Sequence, residues 1–162
     1  MPNKSRNEHI CEMCRLYYRS LTKLAFSYLK NMFDAQDIVS DVFETYIKSA
    51  PDFESDEHER AWLIRVTINK CKNSLKKSSR LRRLDDIVHY SQPEQEDIEV
   101  LSAVLSLPEK YRLPVHLFYY EDMTIAQIAQ VLGEKPATIG SRLARARKLL
   151  KDYLLMEDDY EN

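Results

Sequence analysis

Thr124-Ile-Ala-Gln-Ile-Ala-Gln-Val-Leu-Gly133, then Glu134-Lys135-Pro136, then Ala-Thr-Ile-Gly-Ser-Arg-Leu-Ala-Arg-Ala-Arg-Lys-Leu-Leu-Lys151, is the stretch that decides the fold. Thr124 has the chemistry of a helix N-cap, and Ile125, Ile128, Ala129 and Leu132 form a helical apolar stripe behind it. Gly133 stands where a helix must end in a left-handed residue. Pro136 stands at the first turn of the next helix, where a missing N–H costs nothing. Ile139, Leu143, Ala146 and Leu150 give that helix an inner face. Lys135, Thr138, Ser141, Arg142, Arg145 and Lys148 point the other way. A small residue for close helix contact (Ala129), a turn and a core anchor (Ile139) together make a helix-turn-helix. Its outward face suits DNA, since arginine forks onto guanine edges or phosphate while serine and threonine bond either. An ordinary helical hairpin with a charged face is the plainer alternative, and the agreement of turn, core stripe and basic face disfavours it.

Outward from this segment the chain stays helical. A short helix with Ile98, Leu101, Val104 and Leu105 ends before Leu107-Pro108, and another spans Glu109 to Tyr120 with Pro114 as a kink. Lys77 to Glu99 lacks helical periodicity for much of its length, turns from basic to acidic, and is expected to be an interdomain linker. Before it lie three more helices. The first, about Glu8 to Lys30, carries Ile10, Cys14, Tyr17, Leu21, Leu24 and Tyr28. The second is expected to start at an Asp34 N-cap, with Asp37 in a capping-box-like place, and to stop near Ala50-Pro51. The third, about Glu59 to Ser78, has a core face of Ala61, Ile64, Ile68, Cys71 and Leu75. Beside it runs a stripe of Trp62, Arg65, Asn69, Lys72, Asn73 and Lys76. An aromatic, two amides and three cations on one stripe can stack on bases, bond their edges and neutralise phosphates. The same pattern also suits a solvated basic face with Trp62 packed inward.

Composition agrees with two small helical units. The 162 residues include only 2 glycines and 6 prolines, too few turn residues for an all-β fold. The net charge of −2 argues against a nucleic-acid binder until its distribution is seen. Arg60 to Arg83 and Lys135 to Lys151 are rich in Lys and Arg and contain no acid. The acids lie between and beyond, which implies two polyanion-binding surfaces on one chain. No apolar run approaches the ~20 residues of a membrane span, so no membrane insertion is expected and the cytoplasm is the default compartment. Cys11, Cys14 and Cys71 are too few for a disulfide scaffold. His9, Cys11 and Cys14 lack a nearby fourth ligand, so no metal or cofactor is expected. His9, His58, His89 and His116 are scattered and no nucleophile motif or phosphate loop occurs, so the chain is not expected to be an enzyme.

Two blocks resemble a known family. Asp34-Ala-Gln-Asp37-Ile-Val-Ser-Asp41-Val-Phe43, with Arg60-Ala-Trp62-Leu-Ile-Arg65 and Asn69, looks like region 2 of the extracytoplasmic-function sigma factors, a group of the sigma-70 family. Leu107-Pro108-Glu109-Lys110-Tyr111-Arg112, with Gly133 and Ser141 to Lys148, is similar to their region 4. The resemblance implies an all-α protein of two helical domains joined by a flexible linker. Region 2 would occupy 1–79, the linker 80–97, region 4 98–156, and a short acidic tail 157–162. It implies an alternative sigma factor, a monomer when free, that takes core RNA polymerase to promoter DNA and is held inactive by an anti-sigma factor. Asp37, Ile38, Asp41, Val42 and Phe43 match the segment that docks on polymerase. Phe53 matches the loop that captures a flipped base of the −10 element, and Arg60 with the third-helix stripe matches the part that melts and holds it. Pro136 to Lys151 matches the −35 reader. Two positions depart from the family: Gly140 replaces a common lysine or other polar residue, and Lys135 a common serine-like cap. A stand-alone helix-turn-helix regulator would not need the first block, and a two-module signalling adaptor would not need the clustered cations.

Overall fold

A computed structural model describes residues 5–78 and 103–160. The chain divides into two compact units, Met1–Val88 and His89–Asn162. Among the described residues every regular element is an α-helix. None is long and apolar enough to cross a membrane.

The first unit holds α1 (Arg6–Leu29), α2 (Met32–Ser49) and α3 (Asp56–Ser78), each packed on the other two. Ser5 starts α1 with a reciprocal capping box to Glu8. Leu21, Leu24, Leu29, Val39, Val42, Leu63 and Ile64 make the centre of its core. Two helix starts differ from the expectation. α2 is capped by Asn31, whose Oδ1 accepts from the Asp34 N–H at 3.1 Å, not by Asp34. Lys30 turns left-handed (φ 56°) to end α1, and Asn31 is the only residue left before the next helix begins. α3 begins three residues before Glu59, because Ser55 Oγ accepts from the His58 N–H at 3.1 Å. The acids of that first turn, Asp56, Glu57 and Glu59, face the positive end of the helix dipole. The core face of α3 is also rotated. Leu63, Ile64, Thr67, Ile68 and Cys71 are buried, whereas Ala61 and Leu75 are half-buried. Thr67 is tolerated there because its hydroxyl donates to the Leu63 carbonyl at 2.7 Å.

In the second unit a helix described at 103–106 (α4) precedes α5 (Glu109–Tyr119), α6 (Ile125–Leu132) and α7 (Pro136–Tyr160). Buried Arg112 donates through Nη1 to the carbonyls of Leu105 and Leu107, which closes the end of α4. Pro114 lies inside α5. α5 and α6 pack against each other and both pack against α7. Thr124 caps α6 in a capping box with Gln127, and Gly133 ends it at φ 66°. The buried stripe of α6 is Ile128, Ala129 and Val131; Ile125, expected inside, is 36% exposed because it opens the first turn at the unit's edge. Most of the expected linker lies outside the described residues, as do Ile98 and Leu101.

Candidate nucleic-acid interface

α7 is built as a rod anchored along one side. Ile139, Leu143 and Ala146 are almost wholly buried. Lys135, Pro136, Ser141, Arg145 and Lys148 are exposed on the other side, with Thr138 half-buried beside them. Lys135, Arg145 and Lys148 have no ion pair among the described residues. Arg142 does: its Nη2 lies 3.3 Å from Oε1 of Glu134 in the turn. Arg147 is held more firmly. Its Nε donates to the Tyr119 hydroxyl at 2.7 Å, and its guanidinium lies 5.6 and 5.9 Å from the Phe118 and Tyr119 rings. Thus Arg147, although in a basic run, ties α7 to α5. A Cβ added at Gly140, which is half-buried, would meet nothing within 4 Å, so the glycine leaves bare backbone beside open space.

The α3 surface has a different construction. Arg65, Asn69, Lys72 and Asn73 are exposed, and Arg60 is half-buried at the start of the helix. The Lys76 side chain lies outside the described residues. Trp62 is half-buried, neither packed fully inward nor fully displayed. Its ring is 6.1 Å from Tyr46 and 5.7 Å, edge-on, from Phe53. Phe53 also lies 6.4 Å from Tyr46, stacked, and 5.5 Å, edge-on, from His58. The structure therefore gathers Phe53 and Trp62, which lie apart in the sequence, into one aromatic cluster at the loop between α2 and α3.

The α2 block splits in two. Asp37 and Asp41 are exposed and Phe43 is half-buried, stacked on Tyr18 of α1 at 6.5 Å. Ile38 is 8% exposed and Val42 not at all. This corrects the expectation that all five form a docking surface: Ile38 and Val42 turn inward, where they hold α2 against the core. Phe33, 78% exposed in the first turn of α2, offers apolar surface that the sequence pattern did not single out.

The chain matches two family patterns, sigma-70 region 2 over residues 13–81 and sigma-70 region 4 over residues 97–150. It is 31% identical to the RNA polymerase sigma factor SigV of Bacillus subtilis (strain 168), over 84% of this chain and 85% of that one. The protein belongs to the sigma-70 family, in the extracytoplasmic-function group. An ECF RNA polymerase sigma factor of that group, SigE of Mycolicibacterium smegmatis, is 28% identical over 88% of this chain and 60% of that one. In fold, this sigma factor is similar to RpoE of Bartonella quintana, solved with the anti-sigma factor NepR. The TM-score is 0.76 at 21% identity, covering 91% of this chain and 97% of that one. The sigma factor is accordingly an alternative initiation factor that directs promoter-specific transcription.

One functional-looking group of this sigma factor escapes a sequence reading altogether. Glu59 is 3% exposed. Tyr46 donates its hydroxyl to Oε1 of Glu59, and His9 Nε2 lies 3.1 and 3.2 Å from its two oxygens. Desolvation, then the bond to Glu59, raises the Tyr46 phenol far above its ordinary pKa, so it stays a donor. His9 is thus engaged with Glu59, while Cys11 is exposed and Cys14 half-buried. Burial, and secondarily Cys11, raises the Cys14 thiol, while burial alone pushes the Cys71 thiol up to about 12. No signal in an acidic stretch marks which acid is buried.

Proposed function

We propose that this sigma factor reads the −35 element as duplex with α7 and holds the melted −10 element on α3. The observation that carries this is the pair of exposed polar, cationic faces, each backed by its own core. On this reading Lys135, Thr138, Ser141, Arg142, Arg145 and Lys148 meet the −35 groove, with Pro136 fixing the entry of the helix. Phe53, Arg60, Trp62, Arg65, Asn69, Lys72, Asn73 and Lys76 serve the −10 strand. Asp37, Asp41 and Phe43 dock core RNA polymerase, with Ile38 and Val42 as their internal support. The division of labour would be 1–79 for polymerase and the −10 element and 98–156 for the −35 element, with 80–97 between them and the tail at 157–162. The protein carries no catalysis of its own, works in the cytoplasm, and is a monomer until it meets polymerase. An anti-sigma protein, as NepR is for RpoE, would hold it inactive by covering these faces.

In vitro transcription with purified core polymerase and genomic fragments tests the whole reading. Discrete start sites dependent on this protein are expected; identical transcripts with and without it would refute it. Replacing Asp41 and Phe43 is expected to abolish co-purification with core polymerase while the second unit stays folded.

A further inference from the structure

Beneath the loop that carries Phe53 lies a cavity of about 430 Å³. Arg6, His9 and Ile10 of α1 line one part of it, and the loop from Ala50 to Ser55 with Asp56 of α3 lines another. Glu59 and Tyr46 line it as well. A carboxylate buried this deeply is tolerated only when its lone pairs are occupied. Here the occupants come from the other two helices, His9 from α1 and Tyr46 from α2, so that the carboxylate of α3 ties all three together. An ionised carboxylate only accepts, so the His9 ring must carry its proton on Nε2 to bond it. Tyr46, held by its hydroxyl, stacks its ring on Phe53 and tilts against Trp62.

We propose that Glu59 is a positioning residue for the −10 reader: through Tyr46 and His9 it fixes the aromatic platform of Phe53 and Trp62 on which single-stranded bases are received. The proposal rests on the −10 reading given above. Glu59 itself touches no DNA. Its effect passes through the Tyr46 ring, because a ring free to swing would leave Phe53 with one fewer wall.

The test uses the full chain with core polymerase and a promoter library randomised at the −10 element, read as base preference and open-complex lifetime. Phe53→Ala, His9→Ala and Tyr46→Phe are compared with the parent, with core-polymerase affinity and thermal melting measured alongside. The two positioning variants are expected to shorten open-complex lifetime roughly threefold to tenfold, the effect of losing one ordinary hydrogen bond. They should flatten the same −10 position that Phe53→Ala flattens, with core affinity unchanged. His9 is 41% exposed at its side chain, so its truncation leaves the core intact even if Tyr46→Phe proves unstable. If Phe53→Ala flattens a position and both positioning variants leave base preference and open-complex lifetime unchanged, Glu59 is only a structural brace and the proposal falls while the −10 reading stands. If Phe53→Ala itself changes no base preference, the −10 reading fails and takes the proposal with it.

Discussion

The two faces assigned to DNA are made in opposite ways. On α7 most of the side chains proposed to read DNA are exposed, with Thr138 and Arg142 half-buried, and the buried side is a simple ladder of Ile139, Leu143 and Ala146. On α3 the residues best suited to bases, Trp62 together with Phe53 from the loop, are half inside, packed on Tyr46. Duplex reading needs a stiff rod of fixed phase that presents forks and hydroxyls to base edges. Single-strand capture needs exposed π-faces, and an aromatic without apolar company is costly to leave in water. A cluster that lends its rings to each other resolves that cost until a base arrives. The lesson is that cations can be displayed at all times, whereas stacking platforms must be stored.

The comparison can be broken most directly at the rod's anchor. Leu143→Ala should destabilise the second unit by about 2–5 kcal/mol, as core leucine truncations do. Hydrogen exchange should speed up through α6 and α7 and stay unchanged in α1 to α3. Faster exchange in both units would show that the two faces do not rest on separate cores.

Next in size is the stored platform. Trp62→Ala should remove about 1–3 kcal/mol of single-strand binding, the worth of one base–aromatic stack. Permanganate reactivity of −10 thymines should fall more than initial duplex binding does. A melting curve is needed beside it, because Tyr46 and Phe53 lose a neighbour too. Equal thymine reactivity in variant and parent would mean that Trp62 serves packing alone.

Two substitutions sharpen the α7 side. Arg142→Ala should cost about 1–3 kcal/mol and change the preferred −35 sequence, while Lys148→Ala should weaken all sequences alike and lower the salt slope by about one. Selection from a randomised −35 library separates them. The tie from Arg142 to Glu134 is between part-exposed groups, so it restrains the arginine without withholding it from DNA. Identical preferences for Arg142→Ala and parent would shift the readout to Lys135, Thr138, Ser141 or Arg145. The smallest effect belongs to Gly140→Ala. Open space at that Cβ predicts a gain of up to ~1 kcal/mol in helix stability. A simultaneous loss of −35 affinity would show that DNA needs the bare backbone there.

Much of the second unit was legible because its signals are local. Thr124, Gly133 and Pro136 specify a cap, a left-handed stop and a start within a few residues of each other, and all three act in those roles. The first unit was legible in outline only. Asn31 outcompeted Asp34 as a cap because Lys30 took the left-handed conformation, a non-glycine choice that no composition rule marks. Ile38 and Val42 were grouped with Asp37 and Asp41 because the family resemblance covers the whole segment, although helical phase turns them inward. Glu59 stayed hidden for a further reason. Its partners are 13 and 50 residues away, and its burial follows from tertiary packing, which periodicity does not encode.

The 25 residues of α7 form one continuous helix, a rod about 37 Å long at 1.5 Å per residue. Its reading side chains lie in the first half, and the tie from Arg147 to Tyr119 sits near the middle. Beyond that point Leu154 and Leu155 are exposed on the free arm. In mechanical terms the helix is a handle fixed to its tool: with Ile139, Leu143 and Ala146 clamped in the core, a turn of the far end carries the core-packed first half with it instead of bending away from it.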